Sequence, residues 1–181
     1  FTDNGWLGAG GFRTGENTIT LEFTIPLNCG TQISISGAPF AAVEDNNGVS
    51  PGNLTGLGLS LSTSGDQIFA YDPANTPSST DDSGFIAAIQ MNGDWDADAS
   101  STSTSAQPAI FATLPFSSIA ISPEVDNAVY NCTDLEDDDV SVLRAAIHDP
   151  ANWNVNDTTP FDQPACGKVT VNSLDNASFS Y

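Results

Sequence analysis

The stretch Leu57–Tyr71, LGLSLSTSGDQIFAY, most constrains what this chain can fold into. Leu57, Leu59 and Leu61 alternate with Gly and Ser, a pattern that places these leucines on one face of a strand. Thr63-Ser64-Gly65-Asp66 supplies small, turn-forming residues, and Gln67–Tyr71 resumes an extended apolar run. The spacing predicts a β-hairpin at the centre of an all-β domain.

The flanking sequence repeats the same grammar. In Thr18–Ile25, Ile19, Leu21, Phe23 and Ile25 alternate with polar residues, which predicts a strand. Pro26-Leu27-Asn28 breaks it, and Gln32–Ser36 supplies a second strand with Ile33 and Ile35 inward, as its expected partner. Ala38–Gly56, with Pro39 and Pro51-Gly52, reads as an irregular connection. Phe85–Ile89, Ser117–Ser122 and Asp126–Tyr130 are further short strands, and Lys168–Val171 and Ala177–Tyr181 close the pattern. Gly93–Gln107 is polar and low in complexity and is expected at the surface, and Asn152–Pro164 reads as an aromatic loop. The period changes once. Val140, Leu143, Ala146 and Ile147 fall at helical spacing, after an acidic run ending in Asp139 and before Pro150. About eight short strands with one short α-helix near 140–148 indicate an all-β, antiparallel β-sandwich of the immunoglobulin-like kind, a single domain over 1–181.

Charge narrows the partners. Against 23 acidic residues stand only Arg13, Arg144 and Lys168, a formal net charge of −20. Such a surface repels nucleic-acid phosphates and anionic lipid, favours solubility and attracts divalent cations. No run approaches the length of apolar sequence that crosses a bilayer as a helix, so no direct membrane insertion is expected. Phe1 is not a translation start and suggests a processed or truncated chain. Of the three cysteines, Cys132 and Cys166 flank the predicted helix in polar loops and are the preferred disulfide pair, leaving Cys29 over. Closing that loop would contribute roughly 3–4 kcal/mol. Asn53, Asn131, Asn156 and Asn176 head Asn-x-Ser/Thr sequons, candidates for N-glycosylation, although Ser, Thr and Asn are abundant enough here to form sequons by chance. Together these features place the protein outside the cytoplasm.

Candidate sites are few. Asp94, Asp96 and Asp98 set carboxylates at alternate positions in a loop, a spacing suited to Ca²⁺. A complete EF-hand is not formed, because Ser105 stands where its bidentate Glu belongs; a solvated acidic loop is the plainer account. Glu44-Asp45-Asn46-Asn47 is a weaker cation candidate, and Glu136–Asp139 reads as helix capping. His148-Asp149 lacks the G-x-S-x-G nucleophile elbow and reads as an ordinary helix end, so no catalytic residue is assigned. Trp95, Trp153 and Tyr71, with Trp6 and Tyr130, are candidate glycan contacts or, more plainly, core and loop anchors.

Several landmarks extend over nearly the whole chain: FTDNGW and FRTGENTIT (Phe1–Trp6, Phe12–Thr20), LSLSTSGDQIFAY (Leu59–Tyr71), FIAAI with Trp95, STSTS, DNAVYN (Asp126–Asn131) and LRAAIHDPANW (Leu143–Trp153). In that order they resemble lamin-tail-like β-sandwich modules of secreted bacterial surface proteins. The resemblance implies a further strand before Phe1, either cut off by truncation, the plainer account, or lying elsewhere. A domain lacking or receiving that first strand would carry an exposed edge or groove, which extracellular fibres fill from a neighbouring subunit. The expected function is a non-enzymatic extracellular structural or adhesive module of a cell-surface protein or filament, with calcium as a candidate stabiliser. Its expected partners are neighbouring subunits or the rest of a larger surface protein. The alternative is a carbohydrate-binding module of an exported protein, with glycans as partners.

Overall fold

A computed structural model describes residues 1–27, 33–36, 42–45, 49–131, 139–161, 170–172 and 178–180. Among the described residues the chain is all-β with one short α-helix. Its strands are β1 (Ile19–Phe23), β2 (Ile33–Ser36), β3 (Ala42–Asp45), β4 (Gly52–Gly56), β5 (Gln67–Tyr71), β6 (Phe85–Gln90), β7 (Ser118–Ala120), β8 (Asn127–Tyr130), β9 (Trp153–Asn156), β10 (Thr170–Asn172) and β11 (Ser178–Ser180). They form a β1-β4 pair, a β5-β6-β7 sheet and a larger sheet ordered β3-β2-β11-β10-β8-β9. All described ladders are antiparallel except β6-β7.

The expected β1–β2 pairing is not what forms. β1 pairs β4, which lies inside the stretch read as irregular, with Leu21 opposite Leu54. β2 instead sits between β3 and β11. The Leu21–Leu54 pairing brings together two leucines that pack against one core, a contact between segments distant in sequence. β9 likewise forms where a loop was expected, with Trp153 opposite Tyr130.

The predicted central hairpin is also corrected. β5 forms as expected, but its antiparallel partner is β6, not the leucine run. Leu59 and Leu61 are buried whereas Leu57 is 80% exposed, so the alternation does not describe one strand face. Two carboxylates take the place of a ladder partner. Asp3 accepts from the Ser60 N–H at 2.5 Å, and Asp66 accepts from the Ser62 and Gln67 N–H groups at 2.7 and 2.8 Å. Side chains that satisfy backbone donors this way compete with strand pairing. Gly65 closes the turn at φ +68°, where a Cβ would come within 2.5 Å of the Met91 carbonyl oxygen.

The α-helix α1 (Val140–Ile147) matches the predicted span, and Asp139 caps it by accepting from the Ser141 N–H at 2.8 Å. It adds Ala146 to the principal core, with Leu143 and Ile147 half-buried and Val140 and Val142 exposed. That core joins residues of all three sheets: Ile19 of β1, Ile35 of β2, Ile68 and Ile89 of the β5-β6 pair, Ile119 of β7, and Tyr130 and Trp153 of β8 and β9. A second, aromatic core centres on Trp6, Phe69, Phe85 and Phe111. Its rings meet mostly edge-on or tilted, Trp6 against Phe85 at 5.0 Å and Phe12 against Phe69 at 5.8 Å. Alternation along β5 sends Ile68 to the first core and Phe69 to the second, so this strand is covered on both faces.

The polar 93–107 loop is built into the molecule rather than lying over it. Ser103, Ser105, Ala99 and Ala106 are buried. Trp6 donates its N–H to Ser105 Oγ at 2.8 Å, and Ala106 donates to the Trp6 carbonyl at 2.9 Å. Gln67 Nε2 ties the loop to β5 by donating to the Thr102 and Asp3 carbonyls. Small Ser and Ala side chains let the loop backbone approach Gly5 and Trp6 closely, which composition alone does not show.

Candidate functional site

The β1-β4 pair and the β5-β6-β7 sheet are bridged by a single extended residue. Thr2 is paired antiparallel with Thr18 on one side and with Phe69 of β5 on the other. Thr2 and Phe69 exchange N–H···O bonds of 3.0 and 2.9 Å, while the Ile19 N–H donates to Phe1 O at 2.9 Å and the Phe1 nitrogen to Ile19 O at 2.7 Å. The N-terminal residues thus lie as a strand one residue wide between two sheet edges.

Side chains hold this wedge firmly. Thr2 Oγ1 donates to Asn17 O at 2.6 Å, and the Asp3 carboxylate accepts from the Asn17 and Ser60 N–H groups. Around it gather two buried acids, Asp3 and Asp66, and the half-buried Glu16. Burial pushes Asp3 above the usual carboxylate range against the pull of those two N–H groups. Burial, with Asp3 nearby, lifts Glu16 to about 7, opposed by Arg13. Burial lifts Asp66 to about 8, with Glu16 and Asp3 adding repulsion.

Beside Phe1 the β1 and β5 edges line a groove of about 460 Å³. Ile19, Leu21 and Phe23 line one wall, Ala70, Tyr71 and Pro73 the other. A strand lying between two others sets them about 9–10 Å apart, twice the usual strand spacing, and the double pairing of Thr2 makes the groove one strand wide. In an antiparallel ladder, hydrogen-bonding groups alternate from side to side. Since Ile19 faces Phe1, the main-chain groups of Leu21 and Phe23 face the groove. By the same rule Tyr71 follows Phe69 on the β5 edge. Among the described residues no strand is registered against either edge here. Phe23 is 51% exposed and Ile86, also in the lining, 49%. Exposed apolar side chains beside a sheet edge form a surface suited to extended backbone. The wedge could be read only in part from sequence: the Thr18–Ile25 alternation marks one wall, but nothing local signals that Thr2 binds Phe69.

The sequence-predicted residues lie elsewhere, Tyr71 excepted. Asp94, Asp96 and Asp98 are exposed, and Asp98 Oδ1 accepts from the N–H groups of Gly8 at 3.0 Å and Ala99 at 2.9 Å, a loop-closing role. Among the described residues, the carboxylates whose oxygens approach within 4.8 Å of one another are Glu124, Asp126 and Asp157. They join the segment before β8 to the residue after β9 and could hold a cation. Burial, with the charges of Asp157 and Asp126, raises Glu124. Trp153, offered as a glycan contact, is 7% exposed; its indole N–H donates to Ile147 O at 2.7 Å and its ring meets Tyr130, leaving no face for a sugar. Trp95 is half-buried against Phe69 at 6.0 Å. His148 caps α1 with Nδ1 2.8 Å from Arg144 O, and burial holds it below its usual range. Asn53 and Asn131 are exposed, while Asn156 Oδ1 accepts from the Thr158 and Thr159 N–H groups at 2.8 and 2.7 Å. Cys29, Cys132, Cys166 and Asn176 lie outside the described residues, as do Glu136 through Asp138 of the capping run, and so does the expected disulfide. No described helix is long and apolar enough to cross a membrane.

No family model matches this chain, and no curated protein or solved structure matches it either.

Proposed function

We propose that this chain is an extracellular structural or adhesive module, without enzymatic activity, of a bacterial cell-surface protein or fibre. It engages protein partners, neighbouring subunits or the rest of a larger surface protein, through its backbone edges. One observation carries this reading: the apolar groove bounded by the β1 and β5 edges, with Leu21, Phe23 and Tyr71 on its walls. Such a surface recognises extended protein backbone and offers little to a phosphate or a lipid headgroup. The net charge of −20 fits a soluble exterior module and disfavours nucleic acid. The lamin-tail-like resemblance agrees with it. Against the carbohydrate-binding alternative stands the burial of Trp6 and Trp153 in the cores.

The test compares retention of the folded chain on immobilised copies of itself and of cell-surface proteins with its retention on polysaccharides. Retention on protein, indifferent to polysaccharide competitor, is expected. Retention on polysaccharide that falls on Trp95→Ala would overturn the reading in favour of glycan binding.

A further inference from the structure

β9 ends the larger sheet: it pairs β8 on one side, and among the described residues no strand is registered against its other side. The β8 ladder fixes which main-chain groups face outward. Asn131 donates its N–H to Asn152 O at 2.8 Å, and Tyr130 stands opposite Trp153, so the residues bonded to β8 are Asn152, Asn154 and Asn156. The N–H and C=O of Val155 therefore point away from the sheet. Val155 also shares the face of Ala128, its cross-strand neighbour in the principal core, yet it is 43% exposed. An apolar residue on the core side is thus left half in water at an open edge. Such edges are ordinarily blunted by lysine, proline or a bulge. Trp153-Asn154-Val155-Asn156 carries no charge and no proline, and its register against β8 is unbroken.

We propose that two copies of this chain associate through the outer edge of β9, antiparallel, about a two-fold axis at Val155. The edge is its own complement, as a two-fold interface requires. The axis sets Val155 opposite Val155, Asn154 opposite Asn156 and Asp157 opposite Trp153, so no like charges face each other. The two valines cover each other on the core face and exchange N–H···O bonds. Each Asp157 N–H meets the Trp153 carbonyl of the second copy, while the Trp153 N–H is already given to Pro150 O. On the outer face Asn156 Oδ1 is held by the Thr158 and Thr159 N–H groups, which leaves its Nδ2 to donate to Asn154 Oδ1 of the second copy. Elsewhere the copies repel, at −20 each. One short strand pair buries far less than the roughly 1,600 Å² of a typical specific complex, so the association is weak. Salt strengthens it by screening the repulsion. The two-fold closes on itself and yields a dimer rather than a filament. Neither β1 nor β5 takes part, so this contact goes beyond the groove.

Sedimentation equilibrium of the folded chain over a wide concentration range, at low and at high salt, tests the proposal. A monomer–dimer equilibrium that tightens with salt is expected. Val155→Pro removes the outward N–H but none of the β8 ladder bonds, which Val155 does not make, and should weaken dimerisation at least ten-fold. Val155→Glu sets two carboxylates face to face and should weaken it as much. Circular dichroism verifies that each variant is folded, and Asn154→Lys, at an exposed position, supplies a further charge on the edge should either fail to fold. Phe23→Glu, in the groove, should leave the dimer unchanged. A chain that stays monomeric at high concentration and high salt overturns the proposal, as does a dimer indifferent to the folded Val155 variants. A dimer lost only in Phe23→Glu also overturns it and moves self-association to the groove.

Discussion

Replacing Asp66 by Asn should reverse the order of stability between wild type and variant across the pH range 4 to 8.5. Asp66 lies buried beneath the turn closed by Gly65, its carboxyl raised from 3.8 to about 8, chiefly by burial. In the unfolded chain the same group ionises near its ordinary value. Below pH 3.8 both states hold the proton and the contribution to stability is complete. As pH rises towards 8 the unfolded state releases its proton while the folded state retains it, so stability falls. At about 1.4 kcal/mol per pH unit the full span bounds the loss at roughly 5–6 kcal/mol. Asp66, Glu16 and Asp3 titrate against one another, so this span is an upper bound shared among the three. Asn carries no charge and feels none of this, but its single acceptor serves only one of the two N–H groups that the carboxyl holds, of Ser62 and Gln67. That costs about 1–2 kcal/mol at every pH. Asp66→Asn should therefore be less stable than wild type at pH 4 and equal or more stable by pH 8.5. Urea unfolding at fixed, high salt measures this, since salt screens the general repulsion of an acidic chain. Parallel pH profiles for the two proteins, or a wild-type stability that climbs from pH 4 to 8, would refute the reasoning.

Other substitutions probe the remaining joints. Gln67→Leu removes the amide that ties the Asp3 and Thr102 carbonyls to β5, and thermal unfolding should show a loss of about 1–3 kcal/mol. Trp153→Ala empties the ring site against Tyr130 and frees the Ile147 carbonyl; a cost of about 3–5 kcal/mol is expected by urea titration. Gly65→Ala forces a Cβ against the Met91 carbonyl at a positive φ, and should lower stability by about 1–3 kcal/mol where an exposed Ser64→Ala does not. Asp139→Ala removes the α1 cap and should show as faster amide exchange in the first helical turn.

Local pattern was sufficient where neighbouring residues decide the structure. Alternation marked β1, short apolar runs marked β5, β6 and β8, spacing at 3.6 residues marked α1, and Asp139 before it marked the cap, because each depends on residues within one element. The all-β class followed from those short runs and their Gly, Pro and Asn breaks. Which strands meet was another matter. β4 hides in a stretch rich in Gly and Asn, whose pairing with β1 rests on a leucine contact across the chain. The run of Leu57, Leu59 and Leu61 reads as a strand until Asp3 and Asp66 are seen taking its amide bonds. The groove was not legible in any one segment; its place was set when Thr2 paired with Thr18 and Phe69 together. Periodicity records which way a side chain points, while the partner of a backbone edge is chosen by packing among residues far apart in sequence. That difference is why this sequence determined its elements and only the tertiary structure decided its edges.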